Sequence, residues 1–302
     1  MENTGTHPAT LWPGIKEIWG MTYEQHHVQY TDLWDTHDST QAYEKLLQIT
    51  GYGLPSVKTE GGPGTFDTVI QGVSTTIQHI PYSLGYIVTH EELKDELYQE
   101  VASGRSEANA FSVAQGIEQI GVFPYNNAFA TTFFTAGDGA AMISTAHVNA
   151  SGGTYSNALS PAADLSEASI EDLTIQIMGA QTDRGMFFSV MPKSLHVARQ
   201  EFYNANRIYK SVLQSNTANN NINVLKAVNV FPDGIKMNTY FTSPHAWFVR
   251  TNCPKGGYFF WREKPDLTQD NDFDTKNAKS LCYFRCSVGV GDSHWIYGSN
   301  GP

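Results

Sequence analysis

The stretch "LPSVKTEGGPGTFDTVIQGVSTTIQHI", residues 54–80, constrains this chain more than any other. Val73, Thr75 and Ile77 alternate with Ser74, Thr76 and Gln78, the period of two expected of a strand, and "GGPG" at 61–64 supplies a turn. The pattern predicts a long two-stranded ribbon. It holds few large apolar side chains, and a lone hairpin with no second layer is not stable in water. Phe66, Ile70 and Ile77 are therefore expected to find their partners outside the ribbon. The glycines do not make a phosphate loop, because no Gly-Lys-Ser/Thr follows and no helix begins there.

With 302 residues the chain can bury a sizeable core as one elaborate domain or two. A net charge of −11 repels phosphate and argues against sequence-independent nucleic-acid binding. Of the three cysteines, Cys282 and Cys286 fall on one face of a predicted strand, a poor geometry for a disulfide, so all three are read as reduced. Their spacing lacks the second Cys or His pair that zinc requires. The N-terminus has no basic and apolar signal, and no segment is apolar for long enough to span a bilayer, so a soluble protein made in the cytoplasm is expected. Trp12, Trp19 and Trp34 crowd into the first segment, which must pack against something.

Residues 14–50 read as irregular helix ending at "GYGLP", an arm rather than a core. "THEELKDELY" opens with the capping box Thr89/Glu92 and places Leu93, Leu97 and Val101 on one helical face. Residues 106–123 place Ala110, Ala114, Ile117 and Gly121 at helical spacing, widened by Phe111 and Ile120, with Pro124 as the expected stop. A further helix is capped by Ser166, faces inward with Ile170, Leu173 and Ile177, and ends before Gly185. "MFFSVM" then predicts a short strand, and Pro192 a helix bearing Leu195, Ala198, Phe202 and Ala205. From Ile222 onward "INVLKAVNV", "MNTYFTS", "AWFVRT", "GYFFWRE", "LCYFRCSVGV" and "HWIYGS" read as strands separated by turns.

Chemistry is hard to find. No Gly-x-Ser-x-Gly, His-Glu-x-x-His or Gly-x-Gly-x-x-Gly motif occurs. Glu91/Glu92 and Glu171/Asp172 sit in helix first turns, where negative charge suits the helix dipole. "DNDFD" places Asp270, Asp272 and Asp274 at alternate positions, as a calcium loop would. The sixth and twelfth positions hold Thr275 and Leu281 instead of the Gly and Glu such a loop needs, so the segment reads as a turn before a strand. The enzymatic alternative is a metal-dependent hydrolase using these three aspartates with His294. No catalytic, cofactor or metal residue is assigned.

In their order, "GYGLPSVKTEGGPGTFDTVIQG", "LGYIVTHEELKDELY", "NNAF", "GDGAAMISTAH", "DLSEASIEDL", "DNDFDT" and "WIYGSNG" resemble the major capsid proteins of tailed bacteriophages, in particular the Mu-type head-protein branch. The resemblance implies an α+β chain with the Hong Kong phage-type capsid fold. Its parts would be an N-terminal arm (1–50), an extended β-hairpin loop (51–83), a peripheral domain with a long helix (84–129), a mainly axial domain (130–250) and return strands completing the peripheral domain (251–302). Gly116, Gly121 and Pro124 would make that helix short or bent, each Gly costing about 1 kcal/mol relative to Ala. No coiled-coil leader precedes the arm, so scaffolding would come from another protein or a segment already removed.

The resemblance further implies a subunit that assembles with itself, as hexamers and pentamers, into an icosahedral shell enclosing double-stranded DNA without sequence-specific binding. Its partners would be a portal, a scaffold or protease and decoration proteins, with no membrane, in a virion made in a bacterial cytoplasm. An encapsulin-like compartment is the alternative within the same fold. Trp12, Trp19, Lys58, Glu60, Phe66, Ile70 and Ile77 are the candidate intersubunit contacts.

Overall fold

The computed structural model describes residues 7–94, 98–132, 134–213, 221–272 and 274–301. The chain divides into two compact units. Met1–Tyr43, Gln78–Gly121 and Phe259–Val288 form the first, and Glu44–Ile77, Val122–Tyr258 and Gly289–Pro302 the second.

Helix α1 (His7–Gln25) and the single turn α2 (Tyr30–Leu33) lead into the short strand β1 (Asp35–Asp38). Strands β2 (Tyr43–Ile49) and β3 (Gln71–Gln78) pair with each other, so the ribbon's first strand lies ahead of Leu54 and not within 54–80. β4 (Ile80–Val88) follows, then α3 (His90–Lys94). The expected capping box opens α3: Thr89 N–H donates to Glu92 Oε2 at 3.0 Å, and Glu92 N–H donates to Thr89 Oγ1 at 3.3 Å. The face of Leu93, Leu97 and Val101 lies outside the described residues. Helix α4 (Tyr98–Asn126) runs for 29 residues.

The hairpin of β5 (His147–Val148) and β6 (Thr154–Tyr155) precedes α5 (Glu167–Met178), which is capped by Ser166 as expected and buries Ile170, Leu173 and Ile177. Residues 192–198 depart from the expected helix. They form strand β7 (Pro192–Ala198), and the helix starts only at α6 (Phe202–Lys210). The spacing of Leu195, Ala198, Phe202 and Ala205 mimicked one helical face across two elements. Pro192 is the first residue of a strand, where a missing N–H is tolerated, rather than the start of a helix. "MFFSVM" forms no strand beyond an isolated bridge between Gln181 and Phe187. "INVLKAVNV" was expected extended but holds the helical turn α7 (Val224–Ala227), because Asn223 caps it by accepting the Lys226 N–H. β8 (Ile235–Asn238), β9 (Ala246–Thr251), β10 (Gly257–Asn271), β11 (Ala278–Val290) and β12 (Ile296–Asn300) complete the chain.

In the second unit, β12, β9, β7 and β8 form one sheet in that order, with β7 parallel to β8 and antiparallel to β9. All six residues of β9 are buried, which is why "AWFVRT" reads as a continuous run without alternation. Tyr125 packs between Phe241 and Phe248 beside this sheet.

In the first unit the sheet order is β1, β10, β11, β4. The face predicted for β11 is the buried one at Cys282, Phe284 and Cys286, and Tyr82 of β4 stacks on Phe284. All three cysteines are free and buried, and burial pushes the Cys282 and Cys286 thiols up to about 12. α4 buries Ala110, Val113, Ala114 and Ile117, whereas Phe111, read as part of that stripe, is exposed.

The glycines expected to shorten α4 do not stop it. Gly121 is where the N-terminal segment closes in: a Cβ there would lie 2.7 Å from the Tyr30 Cβ, and the Gly121 carbonyl accepts the Trp34 indole N–H at 2.6 Å. Pro124 lies in the last turn, where it forfeits one helical hydrogen bond near an end that is already losing its partners. The segment read as an arm thus contributes to the core of its own chain. Trp19 is buried, its indole N–H donates to Asn109 Oδ1 at 3.0 Å, and Asn109 Nδ2 donates to the Leu84 carbonyl of β4 at 3.1 Å.

Two glycine substitutions in α4 should move stability in opposite directions. Gly116 has open space around its Cβ position, so Gly116→Ala should raise the melting temperature by the helix-propensity gain of up to about 1 kcal/mol. Gly121→Ala gains the same propensity but drives its methyl into Tyr30, so its melting temperature should fall. Thermal unfolding of the two variants side by side checks both signs.

Candidate functional site

Residues 51–70 are exposed almost throughout, and isolated backbone and side-chain bonds rather than a strand ladder hold them together. Thr50 N–H donates to the Ile70 carbonyl at 3.1 Å, and Ile70 N–H donates to Thr50 Oγ1 at 2.9 Å. Further out, Gly53 N–H donates to Asp67 Oδ2 at 2.7 Å, and the hydroxyls of Ser56 and Thr65 meet. At the tip Gly62 N–H donates to the Thr59 carbonyl at 3.0 Å, with Gly61 at a φ of 75°, which turns the chain where "GGPG" predicts. The result is a finger that extends the β2/β3 hairpin with too few apolar residues to form a layer of its own.

Its large side chains point to solvent: Val57 and Phe66 are each 96% exposed. Lys58 and Glu60 are exposed beside them, and Ile70 is exposed at the base. Two other candidates are buried within the chain. Ile77 is only 6% exposed because it lies against Gly289, where a Cβ would collide with it. Trp19 is only 5% exposed, stacked on Tyr23. Each therefore has partners in its own unit. Trp12 lies in α1, with its side chain outside the described ones. Leu54 and Val57 in the finger, and Phe187 and Tyr203 elsewhere in the second unit, were not singled out from the sequence and are also large and exposed. For the first two the signal was present, since the finger offers them nothing apolar to pack on.

The aspartate cluster is a hairpin turn between β10 and β11. Asp272 N–H donates to the Asn277 carbonyl at 3.0 Å, and Lys276 N–H to the Asp272 carbonyl at 2.9 Å. The Asp272 carboxylate accepts from Lys279 Nζ and from the Asp274 N–H, and these, led by Lys279, hold it below the usual carboxylate range. The hydrolase reading also needs His294, which belongs to the second unit and bonds Asp292 at 2.8 Å. Among the described residues no group of three or more His, Cys, Asp or Glu side chains is placed to hold a metal ion. Among them, too, no helix is long and apolar enough to cross a membrane.

The second unit has a buried polar centre that no motif announced. His147 is fully buried, with Nδ1 at 2.7 Å from Asp138 Oδ2 and Nε2 at 3.0 Å from Asn157 Oδ1. The Asn157 amide orientation is fixed, because its Nδ2 donates to the Met142, Ser293 and Ile296 carbonyls. Both His147 nitrogens therefore lie within hydrogen-bond distance of side-chain oxygens, Asp138 on one side and Asn157 on the other. Burial pushes the Asp138 carboxyl up, but the His147 bond and charge, with the Ala140 and Val148 N–H groups, outweigh it and leave its pKa below the usual range. Tyr155 stacks between His147 and His294, with ring centroids 5.2 and 4.1 Å away. Asn157 thus ties residues 142–147 to 293–296 as a structural staple.

No family model matches the chain, and no curated protein matches it. Solved structures do. The procapsid of bacteriophage JBD30 aligns at 13% identity over 99% of this chain and 77% of that chain, with a TM-score of 0.55. The capsid of Myoviridae phage XM1 aligns at 12% identity over 92% and 94%, with a TM-score of 0.53. An encapsulin complex from Synechococcus elongatus aligns at 8% identity over 90% and 86%, with a TM-score of 0.51. The fold is what these likenesses establish: the chain has the α+β Hong Kong phage-type capsid fold.

The His147 staple gives stability a defined acid dependence. Since the folded pKa of Asp138 is depressed, its contribution is complete above the unfolded value of about 4 and is lost as pH falls through the folded one. Asp138→Asn should lower stability at pH 7 by on the order of 2 kcal/mol, because it removes the carboxylate that bonds the buried His147 at 2.7 Å. The same variant should also flatten the acid limb of melting temperature against pH. Melting curves from pH 3 to 7 for both proteins test the two effects.

Proposed function

We propose that the chain is the major capsid protein of a tailed bacteriophage, assembling as hexamers and pentamers into an icosahedral shell around double-stranded DNA. The observation that carries this reading is the finger. It is ordered by its own hydrogen bonds, yet it holds Val57 and Phe66 in water, where they lose the burial that would stabilise them. Repeated copies of one subunit supply the missing surface. The fold, shared with shell-forming proteins along nearly the whole chain, supports the same reading.

On this reading residues 51–83 are the extended loop, 84–129 with 251–302 the peripheral domain, 130–250 mainly the axial domain and 1–50 an N-terminal arm anchored on its own subunit through Trp19 and Trp34. A net charge of −11 suits a container that encloses DNA without gripping it. Portal, scaffold or protease, and decoration proteins would be the other partners, and the virion its destination. An encapsulin-like compartment is the second reading, favoured by the encapsulin likeness of similar extent.

Electron microscopy of the purified protein should show closed shells. Nuclease-protected duplex DNA in particles from infected cells supports the phage reading, whereas a protein cargo supports the compartment. The double variant Val57→Ser/Phe66→Ser should melt like the parent, since both side chains are already solvated, yet form few or no shells. Normal shells from that variant, or a subunit that stays monomeric at all concentrations, would overturn the role given to the finger.

A further inference from the structure

Among the described residues, Arg184 ties the finger to the body of its own unit. Residues 181–187 form a tight hairpin: Thr182 N–H donates to the Met186 carbonyl at 2.7 Å, Gly185 N–H to the Thr182 carbonyl at 2.8 Å, and Gln181 bridges Phe187. Gly185 takes the positive φ of 73° that this turn needs. Arg184 stands at the tip. Its Nη2 donates to the Thr68 carbonyl at 2.7 Å and lies 3.8 Å from Asp67 Oδ1. Asp67 in turn accepts the Gly53 N–H from the opposite side of the finger at 2.7 Å and the Thr68 N–H at 2.8 Å. One guanidinium thus meets the point where both sides of the finger are already joined. Arg184 Nε is buried with no acceptor, so the tie is carried by Nη2.

We infer that Arg184 is a positioning residue, a latch that fixes the direction in which the finger leaves the body and so the orientation in which Val57 and Phe66 are offered to a second copy of this chain. The latch itself is a property of the single subunit. Its consequence for assembly rests on the shell-subunit reading above. The bond to Thr68 is directional and charge-assisted, and it is the stronger part of the latch. The ion pair to Asp67 is long and solvent-screened, and it adds little by itself. Without the latch the finger keeps its internal bonds but can swing about its Thr50/Ile70 base, and docking then carries an added ordering cost.

Lys58 is the only Lys or Arg between residues 51 and 70, so trypsin reports on the finger at a single bond. In free subunits under brief trypsin treatment, Arg184→Ala should speed cleavage after Lys58 by on the order of tenfold, with the thermal midpoint unchanged. Arg184→Lys keeps a donor for the Thr68 carbonyl and should cut at close to the parent rate. Arg184→Met, which keeps the aliphatic stem but removes the donors, should also speed cleavage and serves where Arg184→Ala fails to fold. Faster cleavage in the alanine or methionine variant, restored by lysine, supports the latch. Equal rates in the parent and a folded alanine or methionine variant overturn it, as does an Arg184→Lys variant that cuts as fast as Arg184→Ala. Faster cleavage in a protein whose parent never forms shells leaves the latch standing and removes the shell reading, so the two can fail separately.

Discussion

The hydrogen bond from the Trp34 indole to the Gly121 carbonyl fixes the first unit. It requires a backbone that a large ring can approach, and only glycine leaves Tyr30 and Trp34 that room beside α4. From this contact the N-terminal segment runs back along the helix, with the Gln29 N–H on Glu118 Oε1 at 2.8 Å and the Trp19 indole on Asn109. Asn109 reaches on to β4, so segment, helix and sheet share one chain of bonds. A helix of 29 residues is thereby held against side chains that would otherwise be a loose aromatic arm.

The second unit is organised differently. Its sheet is buried along β9 and most of β7, and buried polar groups join its loops to one another. Asn157 and His147 carry that role, each satisfied on every side. A buried polar centre specifies one arrangement because any other leaves donors and acceptors unmet. Such a unit is a rigid base for the finger that rises from β2 and β3.

The finger then becomes intelligible as surface rather than core. Thr50, Gly53, Ser56, Thr65, Asp67 and Ile70 order it with polar bonds, which leaves its large apolar side chains facing outward. Scattered apolar residues on a surface are ordinary, but Val57 and Phe66 stand on a segment that offers them nothing apolar to pack on. A net charge of −11 adds long-range repulsion between copies of the chain.

Local rules settled much of this in advance. The Thr89 and Ser166 caps, the inward face of α5, the alternating face of β11, the turn at "GGPG" and the aspartate turn depend on residues within a few positions of each other, where sequence patterns are physically determined. The ordered motifs also carried the fold. Residues 192–198 went wrong because Leu195 and Ala198 fit either period, and only pairing with β8 and β9 makes the segment a strand. The fate of Trp19 and Ile77 was equally undecided, since a sequence shows that a side chain needs a partner but not whose it is. Asn109 and Gly289, distant in the chain, supply those partners at home. The His147 staple and the Arg184 latch join residues scattered through the sequence with no fixed spacing, so only the tertiary structure could bring their charges and hydrogen bonds together.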